Sequence, residues 1–309
     1  MTENSNNKYE LVIIGGGPAG LTAGLYATRA RIDCLLVERG MVGGLITETE
    51  LVENFPGFPE GISGFELGQL MHQQAVKYGL KTITAEATGI ELQGEQKVVH
   101  TTKGDFIAKV LIIASGSERV KLGIPGEEQF TGKGVSYCAT CDAVFFKEKP
   151  VAVVGGSDVA ITEALHLAKL AAKVTVIHRR DQLRASRVLQ ERAFSEPKIQ
   201  FLWDTVVESI EGGDFVKRLR LRQVKTGEKS TLDVAGVFIS IGFKPNTDYL
   251  KGILSLDAAG FITTNARMET EIPGILAAGD IRSDSIRQAI SAAGDGATAA
   301  IYAQKFLTE

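Results

Sequence analysis

A chain of 309 residues, 44% hydrophobic and 23% charged, holds enough apolar material for two ordinary globular cores. Lys and Arg number 34 against 37 Asp and Glu, a formal net charge of -3 that excludes the broad basic surface of a nucleic-acid binder. Three cysteines are too few for a disulfide scaffold. Residues 1–7 are polar and lack the apolar stretch of a signal peptide, and no apolar run approaches the length of a membrane span. A cytoplasmic protein without membrane or nucleic-acid partners is the expectation.

Residues 10–40, ELVIIGGGPAGLTAGLYATRARIDCLLVERG, read as a βαβ unit. A β-branched run at 11–14 is followed by a glycine corner, an Ala/Leu-rich helix and a second apolar strand containing Cys34. Gly15-x-Gly17-x-x-Gly20 follows a strand and opens a helix, the context that a dinucleotide fingerprint requires. Gly15 permits the tight turn, Gly17 lets backbone approach a pyrophosphate, and Gly20 lets helix pack on strand. The helix N-terminus presents unpaired N–H groups to that pyrophosphate. Glu38, ending the second strand, offers a carboxylate to ribose hydroxyls.

Turn-rich residues 43–64 lead to a helix over about 65–78, alternating segments to 108, and a buried strand over 110–116. Residues 117–126 read as a crossover. Next comes Tyr137-Cys138-Ala139-Thr140-Cys141-Asp142. Two cysteines at this spacing close a small disulfide, and such thiols commonly have a lowered pKa. Zinc is a competing reading, but it usually takes four ligands, and no second Cys or His pair lies nearby in sequence. An inert structural pair is the other. Asp142 is either a proton shuttle for thiol–disulfide exchange, its pKa raised by burial, or a surface residue in a turn.

Residues 150–180, PVAVVGGSDVAITEALHLAKLAAKVTVIHRR, repeat the βαβ pattern. The fingerprint recurs as Gly155-Gly156-Ser157-Asp158-Val159-Ala160, with serine in place of the middle glycine, where a Cβ crowds a pyrophosphate. Glu38 lies 23 residues after Gly15; the residue 23 after Gly155 is His178, followed by Arg179 and Arg180. Guanidiniums bind a 2′-phosphate that a carboxylate would repel, and Arg184 lies one helical turn on. Each such contact contributes about 1.5–3 kcal/mol, which predicts NADPH over NADH. A solvated basic face is the bland alternative.

Residues 199–240 alternate like antiparallel strands, 241–246 (IGFKPN) return the chain, and 275–278 form a last strand. Gly279-Asp280 then offers a carboxylate to a ribityl hydroxyl and an N–H near the second phosphate of a long dinucleotide such as FAD. A helix over about 287–307 closes the chain. The fold class is therefore α/β, with two Rossmann-like nucleotide-binding domains. The NADPH domain, 117–245, carries the cysteine pair and is inserted into a discontinuous FAD domain, 1–116 plus 246–309.

As an ordered set, these residues resemble the low-molecular-weight thioredoxin reductases of bacterial type across almost the whole chain. The motifs are GGGPAG at 15–20, ENFPGFPEGISG at 53–64, CATCD at 138–142, HRRDQLRA at 178–185, IGFKPNT at 241–247 and the tail LAAGDIRSDSIRQAISAAGDGATAA. The resemblance implies FAD held by Gly15, Gly17, Pro18, Ala19, Gly20, Glu38, Gly44, Asn54, Gly279, Asp280, Arg287, Gln288 and Ala289. Of these, Arg287, Gln288 and Ala289 match the motif that packs on the flavin ring, and Asn54 a flavin-proximal asparagine. It implies NADPH held by Gly156, Ser157, Asp158, His178, Arg179, Arg180 and Arg184, and no metal.

By family position Cys141 faces the flavin, Cys138 attacks a thioredoxin-like protein, and Asp142 is the acid/base residue. A homodimer and a large rotation of the inserted domain, hinged near 117 and 245, are also implied. The departures are Ser157, Val159 and Thr162 in the second unit, and Leu45 after Gly43-Gly44, where the family usually has glutamine. Ser157 motivates a rival relay fed by ferredoxin or reduced flavin. A dithiol oxidase, with no need of the arginines, is a second rival. A nucleotide-sensing protein or a ferredoxin–NADP reductase would leave the cysteine pair unexplained.

Overall fold

The computed structural model describes residues 7–49 and 51–308; the polar segment 1–6 lies outside the described residues. Two compact units emerge, one running to Glu118 and resuming at Lys244, the other spanning Arg119–Phe243. These limits differ by two residues at each crossover from the expected 116/117 and 245/246.

The first unit opens with β1 (Lys8–Ile14), α1 (Pro18–Arg29) and β2 (Cys34–Glu38), followed by α2 (Gly64–Lys77) and β3 (Lys81–Thr84). The antiparallel hairpin β4 (Ala87–Gln93) and β5 (Gln96–Thr101) leads into β6 (Gly104–Ile113). β1 pairs in parallel with both β2 and β6, as a βαβ crossover requires. The sequence suggests a strand over 110–116, whereas β6 starts at Gly104 and serves two environments. Its first half pairs with β5, and its second half runs through a fully buried core. β1 is buried on both faces: Leu11 and Ile13 pack with Leu21, Ala23 and Ala27 of α1, while Val12 and Ile14 pack with Val99 and Phe106. This explains its unbroken apolar run.

β7 (Ser117–Arg119) leaves the first unit, and β8 (Val135–Ser136) and α3 (Ala139–Asp142) follow. The second βαβ unit is β9 (Pro150–Val154), α4 (Asp158–Ala168) and β10 (Lys173–Ile177). After it come α5 (Arg187–Ser195), β11 (Ile199–Leu202), β12 (Thr205–Gly212), β13 (Val216–Gln223), β14 (Lys229–Asp233) and β15 (Gly236–Ile239). A parallel sheet runs β11-β10-β9-β15-β8, and β12-β13-β14 form a separate antiparallel sheet. The antiparallel expectation for 199–240 is therefore corrected at both ends. β11 and β15 flank β10 and β9 in parallel, because their side chains are needed on both faces of a covered sheet. Val151 and Val153 pack against Ile161, Ala164 and Leu167 of α4, and Ala152 and Val154 against Val207, Leu219 and Leu221.

β16 (Phe243–Pro245) pairs with β7, so the two crossovers form a ribbon of two strands. β17 (Ile275–Ala277) then joins the buried end of β6 in parallel, and α6 (Ala289–Thr308) packs along α1. The last helix starts two residues later than the sequence suggests. Arg287 has φ 58°, a left-handed conformation that cannot continue into a right-handed helix. Among the described residues, no helix is long and apolar enough to cross a membrane.

Candidate functional site

The two glycine corners share one construction. At Gly15 φ is +107°, and a Cβ there would lie 2.3 Å from Ala114 O; at Gly155 φ is +154°, and a Cβ would lie 2.4 Å from Ser240 O. Both turns thread between their own strand and the neighbouring one, which only glycine allows. The next position explains Ser157. Gly17 and Ser157 cap their helices in the same extended conformation, φ -78° and -91°, so serine needs no change of backbone. Its side chain lines a small cavity instead.

In the first unit, Glu38 accepts the Gly16 N–H at 2.6 Å and the Gly40 N–H at 2.8 Å. These donors fix the carboxylate beside the turn and leave lone pairs for hydroxyl donors. Gly43 N–H donates to Gly16 O at 2.8 Å, and a Cβ on Gly44 would lie 2.9 Å from Gly17 Cα. Gly15, Gly17, Pro18, Ala19, Gly20, Glu38 and Gly44 are thus gathered around one helix N-terminus. The tail arrives at the same place: a Cβ on Gly279 would lie 2.9 Å from the Ala19 Cβ. A glycine-walled cradle with a carboxylate at its edge fits a dinucleotide pyrophosphate and ribose.

Asp280 is held by the Ser285 hydroxyl at 2.9 Å. Arg287 lies over the Phe261 ring at 5.2 Å, and Asn54 Nδ2 donates to Gln288 Oε1 at 3.0 Å, just before Ala289 opens α6. The sequence did not disclose the support behind this tail. Asp295 of α6 accepts the Gly279 N–H at 3.1 Å and two guanidinium N–H groups of Arg282, at 3.0 and 2.7 Å. An acid-to-arginine spacing of 13 residues across a loop carries no local signal.

In the second unit, the ring of His178 lies beneath the glycine turn: a Cβ on Gly156 would meet its Cε1 at 2.4 Å. The ring is 5% exposed, and burial pushes its pKa down, with Arg184, Arg180 and Arg179 adding to the shift. His178 therefore shapes the turn as a neutral ring. The loop after it is tied to the turn twice, by Arg184 N–H donating to Gly156 O at 2.7 Å and Ser186 N–H to Asp158 Oδ1 at 2.5 Å. Arg179, Arg180 and Arg184 are exposed, and Asp181 between them is engaged by Lys225 at 3.2 Å. Among the described residues, no carboxylate forms an ion pair with the three guanidiniums. Their charge is available to an anion at the ribose corner.

Cys138 and Cys141 form a disulfide at the start of α3. With each sulfur bonded to the other, neither is a thiolate ligand. Among the described residues, no group of three or more His, Cys, Asp or Glu gathers as a metal site. The Ser136 hydroxyl donates to Asp142 Oδ2 at 2.5 Å and its oxygen accepts the Cys138 N–H at 3.1 Å, which links the acid to the redox turn. The Tyr137 hydroxyl donates to the buried Glu127 at 2.8 Å, a carboxylate that also accepts the Leu122 and Gly123 N–H groups of the crossover. Cys34 is buried in β2, and burial pushes its thiol pKa up, so it stays an unreactive core residue.

Residues 9–296 match the family model described as pyridine nucleotide-disulphide oxidoreductase. A thioredoxin reductase of Streptomyces coelicolor is 47% identical over 96% of this chain and 93% of its own length. One from Bacillus subtilis is 45% identical over 97% and 95%. The crystal structure of thioredoxin reductase from Streptococcus pyogenes superposes with a TM-score of 0.93 at 44% identity, covering 98% of this chain and 99% of that one.

Proposed function

The chain belongs to the pyridine nucleotide-disulphide oxidoreductase family, among its thioredoxin reductases, and we propose that it reduces a thioredoxin-like protein with electrons from NADPH. The observation that carries this reading is the Cys138–Cys141 disulfide beside a dinucleotide turn, in a chain alike along its whole length to reductases of that name. FAD, when bound, supplies the two-electron relay between nicotinamide and disulfide.

In this reading Gly15, Gly17, Pro18, Ala19, Gly20 and Gly44 cradle the FAD pyrophosphate, Glu38 takes ribose hydroxyls and Asp280 the ribityl chain. Asn54, Arg287, Gln288 and Ala289 adjoin the flavin ring. Gly156, Ser157 and Asp158 receive the NADPH pyrophosphate over the His178 ring, and Arg179, Arg180 and Arg184 take the 2′-phosphate. An NADPH-fed relay is favoured over ferredoxin or oxygen partners, because three unpaired arginines at the ribose corner serve no purpose in those.

Two electrons and one proton break the S–S bond, leaving Cys138 as thiolate and Cys141 as thiol or the reverse. Cys138 attacks the partner's disulfide, forming a mixed disulfide and expelling one partner thiolate. Cys141 then attacks Cys138, restoring the pair and releasing the dithiol partner. Asp142, bonded to Ser136, passes the proton between Cys141 and the leaving thiolate. Val144 and Phe145, each 47% exposed just beyond the pair, offer the partner an apolar footing. A homodimer and a cytoplasmic location complete the reading on family resemblance.

Anaerobic mixing with NADPH and with NADH tests it: flavin absorbance should bleach with NADPH at far lower concentration, and a thioredoxin should then be reduced. No bleaching by either nucleotide, or turnover that survives alkylation of both thiols, overturns it.

A further inference from the structure

Beside the second glycine turn lies a small, partly open cavity of about 30 Å³, lined among others by Arg119, Tyr137, Ser157, Glu163 and Ser240. Glu163 stands on α4, the helix that Ser157 caps. One of its carboxylate oxygens accepts the Ser240 hydroxyl, and the other accepts the Ala139 N–H at 3.3 Å. Ala139 is the residue directly after Cys138. A single half-buried carboxylate therefore joins the nucleotide-turn helix to the backbone between the two sulfurs.

We propose that Glu163 is a positioning residue for the redox pair: its carboxylate, fixed on the Ala139 N–H, opposes thiolate formation and sets the pH at which the reduced pair becomes reactive. The inference deepens the reading of Cys138 and Cys141 as the working disulfide. A negative charge near a thiol disfavours the thiolate, more strongly in a poorly solvated site than in water. α3, which carries Cys141, packs on α4, and α4 also carries Asp158 and His166. Asp142 on α3 adds a carboxylate, Arg119 on the cavity wall opposes it, and Tyr137 stays neutral because burial and its bond to Glu127 push its pKa up. Burial also raises the pKa of Glu163 itself, while Ser240, the Ala139 N–H and Arg119 favour its anion.

The test uses the flavin-loaded protein, reduced with dithiothreitol, freed of reductant under argon and alkylated with iodoacetamide across a pH series. Modification at Cys138 is read by mass spectrometry. In Glu163→Gln, which keeps the shape and an acceptor for Ala139, the pH midpoint should fall by roughly half to one unit. Alkylation below the midpoint should then be about three- to tenfold faster. Glu163→Ala should shift it in the same direction, and serves if the first variant does not fold. A folded variant with the parent's midpoint overturns the proposal, since a purely structural contact would not govern thiol ionisation. Neither NADPH nor thioredoxin enters the measurement, so failure here is distinct from failure of the bleaching test.

Discussion

The Asn54 amide donates to Gln288 Oε1 at 3.0 Å, joining a loop near the start of the chain to the residue before α6 across 234 positions. Both residues are expected beside the flavin, and the bond holds them in mutual register. Asn54→Ala and Gln288→Ala should each weaken FAD retention, and the double variant should lose less than their sum. A coupling of about 0.5–1 kcal/mol is expected from one exposed amide–amide bond, read as a double-mutant cycle on FAD dissociation. Strict additivity would show that the bond has no part in flavin binding.

Replacing either cysteine separates the two halves of the relay. Cys138→Ser and Cys141→Ser should each lower thioredoxin reduction by roughly 10³-fold or more, as loss of an essential nucleophile does. NADPH should still bleach the flavin in both. Stopped-flow absorbance beside a thioredoxin-coupled assay distinguishes these steps.

On the proposed reading, the arginine loop selects the nucleotide. Arg179→Ala, Arg180→Ala and Arg184→Ala should each raise the KM for NADPH by roughly tenfold, the lower end for a charge-assisted bond at an exposed site. Neither kcat nor the KM for NADH should follow. Equal losses with both nucleotides would point to a loop that orders the turn and does not read the phosphate.

Asp295 bonds at once to Arg282 and to the Gly279 N–H, in a pair whose side chains are 16% and 15% exposed. Asp295→Ala strands a largely buried guanidinium and frees the tail turn. It should cost about 2–4 kcal/mol, seen as a lower urea midpoint, and should loosen FAD. A change under about 0.5 kcal/mol would mean that solvent already satisfies Arg282.

His178 ties stability to pH. Its pKa is lowered in the folded protein, chiefly by burial, while the unfolded chain titrates near the ordinary value of 6.5. Between those two values the unfolded state binds the extra proton, so stability is fully present above about pH 6.5 and is lost as pH falls towards the folded pKa. Thermal melts of the parent should therefore drop more steeply below that pH than those of His178→Asn, after normalising at pH 8. Parallel curves would show that the ring accepts its proton without cost.

Much of this molecule was legible before any coordinate. Repeated βαβ patterns, glycine corners, the Arg179-Arg180 corner and the cysteine spacing are local, because each arises from a backbone turn or a period in side-chain burial. Even Ser157 followed a local rule once its extended φ was known. What tertiary structure alone decided is which distant groups share a proton or a charge. Glu163 meets Ser240 and Ala139, Asp295 meets Gly279, and the His178 ring slides under Gly156. Such contacts join residues through packed space, where hydrogen bonding and desolvation act on distance and not on order along the chain.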